Sequence, residues 1–197
     1  MKFLFDLGGV FFDWDPNHFF KDIFDKAEER EYFLTEVCND EWNIQQDAGR
    51  TIKEAEAVLI PKFPQYEKQI KMYYQNHRKM IQGTFNSSIK VLDKLKKKNY
   101  ECYVLSNWSA ETFVGMTDDY PFLQSFNGLL ISGEDNLMKP DAAIYELAIS
   151  RFNLIPQETV FIDDKLENIE AAKKLNLKTI HLVDPNIIEL EIDKFLV

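Results

Sequence analysis

The sequence predicts an α/β protein, a doubly wound parallel sheet with a helical subdomain inserted after its first strand. Two observations lead to this prediction. From Phe85 onward, short apolar runs alternate with stretches of helical periodicity, as in successive βαβ units. Between the first apolar run and Phe85 the periodicity is helical, over a span much longer than an ordinary crossover connection.

The first strand is predicted at residues 2–7, an apolar run that contains Asp6 and is followed by Gly8 and Gly9. A continuous apolar run is typical of a strand buried on both faces of a parallel sheet. Because an unpaired carboxylate is costly to bury, we expect Asp6 at the mouth of the sheet, where open α/β folds bind ligands. An aspartate that only caps a turn is the plainer interpretation, and this stretch alone does not decide between the two.

The helical span is predicted to be a cap at residues 16–85, and residues 1–15 and 86–197 are predicted to form the core domain. Pro16 suits the first position of a helix, with Asp15 as its N-cap. Thr51 and Glu54 have the spacing of a capping box, and a further helix is expected after Pro64. We predict no strand in this span.

The remaining elements belong to the core domain. Strands are predicted at residues 100–105, 128–131, 159–162 and 178–183, and helices at residues 88–98, 142–152 and 166–175. The lysine run at 96–98 is interpreted as the solvated end of a helix, where positive charge is favourable.

Composition excludes several classes of partner. A formal net charge of −10 argues against nucleic acid, because phosphate backbones require basic patches. No apolar run is long enough to span a bilayer, and no cleavable signal precedes the first strand. Two cysteines far apart in the sequence do not suggest a disulfide framework. We therefore expect a cytoplasmic protein, a monomer or small homo-oligomer, that binds a small molecule and neither nucleic acid nor membrane.

Polar groups follow the predicted strands at three points, and a lysine precedes a predicted helix. In a parallel sheet these strand ends face one crevice. A mutual salt-bridge cluster would account for them, but three carboxylates would repel each other without a cation. Oxygen ligands of this kind suit Mg²⁺, which is the cofactor we predict. The groups are Asp6, Ser106 with Asn107, Lys139, and the pair Asp163 and Asp164.

Each group fits a role in phosphoryl transfer to a carboxylate. Asp6 is the candidate nucleophile, which would form an aspartyl-phosphate. Ser106 and Asn107 are candidate donors to the phosphate oxygens. Lys139 offers a compact positive charge to the same oxygens and to the nucleophile. The predicted substrate is therefore a small phosphorylated molecule.

The order and spacing of these groups resemble the haloacid dehalogenase-like superfamily. Its first motif matches DLGGV from Asp6, its second matches Ser106 and Asn107, its third matches Lys139 in MKPD, and its fourth matches the acidic pair in VFIDDKLEN. The motifs extend from residue 6 to residue 168, so the resemblance covers nearly the whole chain. The helical insert is similar in position to the cap of this superfamily.

The resemblance implies an Mg²⁺-dependent phosphatase with Asp6 as nucleophile. By the same likeness, the metal ligands are the Asp6 carboxylate, the Gly8 carbonyl oxygen and Asp164, and Asp163 supports the metal. The motifs further resemble the subgroup of bacterial α-D-glucose-1-phosphate phosphatase and the phosphatase domain of soluble epoxide hydrolases. A sugar phosphate is therefore the expected substrate.

One position departs from most phosphatases of this superfamily. They have a second aspartate two residues after the nucleophile, which acts as general acid, and this chain has Gly8 there. General acid–base catalysis is typically worth ~10²–10⁴-fold in rate. Asp13 or Asp15 are alternative acids, although turn and helix capping is the plainer interpretation of both, and an anomeric phosphate would need little acid help.

The turn between two cap helices is the candidate substrate-recognition segment. Asp47 is predicted to bind sugar hydroxyls, and Trp42 or Trp108 to pack against a sugar face. The alternatives are that Trp42 belongs to the cap core, that Asp47 begins an ordinary turn, and that Arg50 is solvated.

Two other functions remain open at this point. A dehalogenase or phosphonatase on the same fold would act without Mg²⁺ or would use a cap lysine, for which Lys53 and Lys62 are weak candidates. A catalytically degenerate binding protein would bind metal or phosphate without turnover.

Overall fold

The computed structural model describes residues 1–196 and contains a five-stranded, fully parallel sheet flanked by helices. The strands lie in the order β5-β4-β1-β6-β7, so the predicted α/β class with a doubly wound parallel sheet is confirmed. The strands are β1 (Lys2–Phe5), β4 (Glu101–Ser106), β5 (Gly128–Ile131), β6 (Thr159–Asp163) and β7 (Lys178–His181). Two further strands, β2 (Phe12–Trp14) and β3 (Ile81–Thr84), form a separate ribbon.

Helices occupy most of the remaining chain. Those before β3 are α1 (Asn17–Phe20), α2 (Ala27–Tyr32), α3 (Asp40–Asp47), α4 (Ile52–Leu59) and α5 (Glu67–Gln75), with a π-helical turn at Phe33–Val37 and 3₁₀ turns at Pro64–Tyr66 and His77–Met80. Those after β3 are α6 (Asn86–Lys97), α7 (Ala110–Phe113), α8 (Met116–Asp119), α9 (Ser132–Asp135), α10 (Ala142–Arg151), α11 (Leu166–Lys174) and α12 (Ile188–Asp193), with 3₁₀ turns at Pro121–Ser125, Pro156–Glu158 and Pro185–Ile187.

The sheet is buried on both faces because its strands are apolar throughout. In β1, Phe3 and Phe5 pack into one hydrophobic cluster and Leu4 into another on the opposite face. The same alternation holds in β4, where Val104 and Leu105 face opposite clusters. Strands with two apolar faces are what a sheet covered by helices on both sides requires.

The helices between β2 and β3, residues 17–80, have a hydrophobic cluster of their own, and we call them the helical segment. Its aromatic centre includes Phe20, Phe33 and Tyr73, all of them fully buried or nearly so. The predicted capping box is present at the start of α4, where Thr51 and Glu54 satisfy each other's backbone N–H groups. The Asp15 carboxylate accepts the backbone N–H of Asn17, 2.7 Å away, but the N-cap residue of α1 is Pro16 and not Asp15 as predicted.

The β2–β3 ribbon corrects the prediction that no strand lies in this part of the chain. Phe12 pairs with Thr84 and Asp13 with Gly83, in antiparallel register. The chain therefore leaves the sheet and returns to it through adjacent strands. Three- and four-residue strands are too short to show alternation in the sequence, which is why this pairing was not predicted.

Among residues 1–196, no helix is both long enough and apolar enough to cross a membrane.

Candidate active site

The carboxyl ends of β1, β4 and β6 bring three of the predicted residues together. Asp6 follows β1, Ser106 ends β4 and Asp163 ends β6. The backbone N–H of Asp6 donates to the carbonyl of Ile162 at 2.9 Å, which holds the chain beside β6 as it leaves the strand. The adjacency of these strands in the sheet therefore fixes the adjacency of the three side chains.

One oxygen of the Asp6 carboxylate accepts three donors. Its Oδ1 lies 2.7 Å from the backbone N of Leu7, 2.7 Å from the Ser106 hydroxyl and 3.0 Å from Lys139 Nζ. Among the described residues, 1–196, no donor reaches the second oxygen, Oδ2. The carboxylate is therefore fixed in orientation while one of its oxygens stays available for a ligand.

Lys139 lies between two carboxylates in the interior. Its Nζ is 2.6 Å from Asp163 Oδ2 and 3.0 Å from Asp6 Oδ1, and the lysine and Asp163 side chains are 1% and 0% exposed. Burial works against the charge on Lys139, but Asp163 and Asp6 outweigh it and raise the pKa of the ammonium above its ordinary value. The lysine is thus a permanent buried cation.

For Asp6, the effect of burial on the pKa is larger than the effect of the neighbouring positive charge. Burial raises the pKa of its carboxyl to about 6, although Lys139 lowers it, and the negative charges of Asp163 and Asp164 raise it further. Burial, followed by the charge of Asp163, also raises the pKa of Asp164. A cation placed among these carboxylates would stabilise their charged forms.

Asp163 is held by four contacts. Its Oδ1 accepts the backbone N–H of Lys165 at 2.8 Å, its Oδ2 binds Lys139, and the Asn168 amide reaches both oxygens at 3.0 Å. Asn168 was not predicted as a site residue. Its position in the first turn of the helix after the acidic pair, within the quoted FIDDKLEN stretch, is the signal that could have revealed it.

The acidic groups fit a divalent cation. Carboxylate oxygens of Asp6, Asp163 and Asp164 all lie within 4.8 Å of one another, and oxygen donors are those that Mg²⁺ prefers. Gly9 makes this approach possible, because it has φ +66° and a methyl group there would lie 2.5 Å from Asp164 Oδ2. No side chain among residues 1–196 donates a hydrogen bond to the Asp164 carboxylate, so its oxygens remain free for a metal.

Asn107 contacts the backbone of Lys139 through its side-chain amide. Its side-chain Nδ2 donates to the carbonyl of Lys139 at 2.9 Å, and its Oδ1 accepts the N–H of Lys139 at 2.8 Å. These two bonds position Lys139 and leave the second N–H of the amide, one of the two that an asparagine side chain carries, for another acceptor. The predicted contact of the Asn107 amide or backbone with the phosphate oxygens stays a prediction.

The helical segment approaches these residues through the end of α3. Gly49 lies against Asn136 beyond α9, and the backbone N–H of Ile52 donates to Glu111 at 2.7 Å. Burial raises the pKa of the Asp47 carboxyl to about 7, while Lys165 and the backbone amide of Ser109 lower it. Of the predicted recognition residues in the helical segment, Asp47 is the one whose carboxyl faces the loops of the sheet.

Trp42 lies in the interior of the helical segment instead. Its ring packs edge to face on Tyr73 and at a tilt on Tyr74, and its Nε1 donates to the carbonyl of Ala55 at 3.3 Å. Arg50 is likewise turned inward, donating to Gln46 and to the Trp42 carbonyl. These contacts contradict the predicted substrate contact of Trp42, because helix packing already covers the indole.

The two alternative acids are also engaged elsewhere. Asp13, in β2, lies 3.1 Å from His18 Nε2. Asp15 accepts the backbone N–H of Asn17. Neither belongs to the carboxylate cluster of Asp6, Asp163 and Asp164.

Comparison with known proteins identifies a matching family and similar phosphatases. The sequence profile of a family described as haloacid dehalogenase-like hydrolase matches residues 3–182. The sesquiterpene phosphatase of Aspergillus oryzae is 26% identical over 191 residues, which cover 92% of this chain and 89% of that protein. The D-ribitol-5-phosphate phosphatase of Bacteroides thetaiotaomicron is 29% identical over 107 residues, 49% of this chain and 52% of that protein.

A solved structure resembles almost the entire chain. It is an enzyme of the same family from Bacteroides thetaiotaomicron, in complex with magnesium and inorganic phosphate. The two chains are 25% identical, with a TM-score of 0.69, and the match covers 91% of this chain and 92% of the other.

Proposed function

Because this chain belongs to the haloacid dehalogenase-like hydrolase family, we propose that it hydrolyses a small phosphorylated metabolite, a sugar phosphate, through an aspartyl-phosphate on Asp6. The chain is a phosphatase of this family, and its cofactor is Mg²⁺. The proposal adds the substrate class, the intermediate and the residues. One observation carries it: Oδ1 of Asp6 is held by three donors, while no donor from residues 1–196 reaches Oδ2.

In the proposed reaction, Oδ2 of Asp6 attacks phosphorus and the bond from phosphorus to the ester oxygen breaks. The three donors to Oδ1 hold the carboxylate so that Oδ2 points the same way in each molecule, which removes orientational freedom before the reaction. The Lys139 ammonium supports the ionised form of Asp6 and stabilises negative charge on the phosphate oxygens. Water then attacks the aspartyl-phosphate and regenerates Asp6.

The metal would be held by the carboxylates of Asp6 and Asp164 and by the carbonyl oxygen of Gly8, with Asp163 behind them. When bound, Mg²⁺ neutralises charge on the transferring phosphoryl group. Asp163 contributes indirectly, because it holds Lys139 and is itself held by Asn168. This makes Asp163 a positioning residue in the proposal.

We further propose that residues 16–85 form a cap over a core of residues 1–15 and 86–197. The separate hydrophobic cluster of the helical segment and the two adjacent strands of the ribbon support this division. A cap joined through one short ribbon can move as a unit and exclude water from the site. Cytoplasmic location, a monomeric or small homo-oligomeric state, and the likeness to the glucose-1-phosphate phosphatase subgroup stay predictions.

The proposal is tested by phosphate release from a panel of sugar phosphates and simple phosphomonoesters, with and without Mg²⁺. Wild type is compared with Asp6→Asn, and Asp13→Asn serves as the control because Asp13 pairs with His18 outside the cluster. We expect Mg²⁺-dependent release that Asp6→Asn abolishes and Asp13→Asn leaves intact. Sugar phosphates should be turned over with the highest kcat/KM.

Two results would contradict the proposal. Release that persists in Asp6→Asn would exclude the aspartyl-phosphate. Absence of release from every compound, in wild type that is folded and binds Mg²⁺, would favour the degenerate binding protein.

A further inference from the structure

The site lacks an evident proton donor for the leaving group. Phosphoryl transfer from an alkyl ester expels an alkoxide unless a proton reaches the ester oxygen, and Gly8 offers no side chain for this. Ser106 directs its hydroxyl to Asp6, and Lys139 directs its ammonium to Asp6 and Asp163. Asp13 and Asp15 are engaged with His18 and Asn17. Each of these four side chains thus already has a hydrogen-bond or ion-pair partner within the protein.

Asp47 approaches the site from the helical segment and not from the sheet. It is the last residue of α3, and the chain just after it is fixed to the core at two points. Gly49, with φ +100°, lies so close to Asn136 that a methyl group would be 1.8 Å from its Oδ1. Ile52 N–H donates to Glu111 at 2.7 Å. The end of α3 is thereby held against α7 and α9, and the Asp47 carboxyl accepts the backbone amide of Ser109 in the loop after β4.

The charged groups around Asp47 are those of the active site. Lys165, the backbone amide of Ser109 and Lys139 lower its pKa, Asp6 raises it, and burial outweighs them to give a pKa of about 7. The nearby Arg50 is committed to Gln46 and the Trp42 carbonyl. A carboxyl in this setting carries its proton in a large share of molecules at neutral pH.

We propose that Asp47 is the proton donor to the leaving group and takes the place of the acid that is absent at Gly8. This inference rests on the proposed function. As Oδ2 of Asp6 bonds to phosphorus, the ester P–O bond breaks and the departing oxygen takes the proton of Asp47, giving an alcohol and the Asp47 carboxylate. In the second half, water gives a proton to Asp47 and its oxygen to phosphorus, and the bond from phosphorus to Asp6 breaks.

The test compares two leaving groups in Asp47→Asn. An alkyl ester such as glycerol phosphate needs the proton, whereas p-nitrophenyl phosphate expels a stable anion. The measured quantity is kcat/KM, because it covers the steps through departure of the leaving group. We expect about a 10²-fold loss with glycerol phosphate and a loss at least tenfold smaller with the aryl ester. Equal losses would overturn the inference, since a residue that only positions substrate affects both esters alike.

A rescue experiment uses the open space at Gly8. A Cβ added there meets no atom of residues 1–196 within 4 Å, so Gly8→Asp introduces an acid whose Cβ has space. In the double variant Gly8→Asp with Asp47→Asn, we expect kcat/KM for glycerol phosphate to recover at least tenfold. Failure to recover, in a folded double variant that retains activity on the aryl ester, would count against Asp47 as the acid.

The pH profile gives an independent readout. In wild type, kcat/KM for the alkyl ester should fall above about pH 7 as Asp47 loses its proton, and Asp47→Asn should lack this alkaline decline. Asp47→Ser replaces Asp47→Asn if the latter does not fold. Wild type that hydrolyses neither ester with Mg²⁺ would overturn the proposed function and this inference together. Active wild type with an unaltered profile in Asp47→Asn would overturn this inference alone.

Discussion

The buried lysine of the site stabilises two carboxylates whose burial would otherwise be unfavourable. Lys139 Nζ touches Asp6 and Asp163 at 3.0 and 2.6 Å. In an interior of low polarity, a single remaining charge is more costly than a complete pair. At the scale of one residue, folding and catalysis therefore depend on the same ammonium group.

Replacing this ammonium with an apolar side chain of similar length should destabilise the protein. We expect Lys139→Met to lose about 3–5 kcal/mol of unfolding free energy at neutral pH without metal, because Asp6 and Asp163 stay buried without a cation. Mg²⁺ should raise the melting temperature of this variant more than that of wild type. Urea unfolding with and without Mg²⁺ measures both effects.

The matched control is Lys2→Met. Lys2 pairs with Glu101 at 2.8 Å, where both side chains are partly exposed, and such surface pairs contribute roughly 0–1 kcal/mol. If Lys139→Met lost no more stability than Lys2→Met, the two carboxylates would not depend on the lysine for their burial.

Among the secondary-structure elements, α3 matters most to Asp47. The end of this helix contacts the loops of the sheet, and Asp47 lies at that contact. Gly49 sits there with φ +100° and with Asn136 against it. A side chain at this position both strains the backbone and pushes the turn away from α9. The turn therefore sets how close Asp47 comes to the site.

We expect Gly49→Ala to lower kcat/KM by about 10²-fold, since a displacement of about 1 Å can have that effect on a reacting group. Adding Asn136→Ala should restore part of the activity, because it removes the two closest atoms and leaves a contact of 3.3 Å with the Asn136 Cβ and the backbone strain. Gly83→Ala is the control: Gly83 lies in β3 and a methyl group there meets no atom within 4 Å. Steady-state kinetics on one ester test all three. Activity unaffected in Gly49→Ala would separate this turn from the site.

The sequence predicts the sheet because each buried strand forms a continuous apolar run, such as 159–162, and the helices because their apolar spacing is regular. It also predicts the meeting of Asp6, Ser106 and Asp163, because parallel strand ends share one edge. Other features depend on contacts between distant residues. Asn107 and Lys139 bind each other across two loops, and the apolar spacing around Trp42 does not tell a packed indole from a substrate platform.

For the whole molecule, the negative net charge of −10 coexists with a site that must take an anion. Lys139 and the predicted metal reverse the sign locally, which a total charge does not describe. A second whole-molecule property is the pH dependence of stability. It is set by buried groups whose pKa values differ between the folded and unfolded chains.

His77 is such a group, at the junction of the helical segment and the sheet domain. Its ring packs between Trp14 and Trp108, with centroid distances of 6.0 and 5.6 Å. Its Nδ1 has no hydrogen-bond partner among residues 1–196. Burial, assisted by the positive charge of Arg78, lowers the pKa of His77 from 6.5 to about 4. The fold therefore holds this imidazole neutral.

Acid should destabilise wild type through His77, because the unfolded chain binds a proton there between pH 6.5 and 4 and the folded chain does not. His77→Phe keeps an aromatic ring and removes this titration. Between pH 7.5 and 4.5, we expect the stability of His77→Phe relative to wild type to rise by roughly 2–3 kcal/mol. Contributions from Asp6 and Asp47 are common to both proteins and cancel.

Trp108→Phe is the control. It alters the same packing without a titratable group, so its difference from wild type should stay constant with pH. Urea unfolding at several pH values measures these differences, and a constant gap for His77→Phe would show that His77 is not kept neutral by the fold.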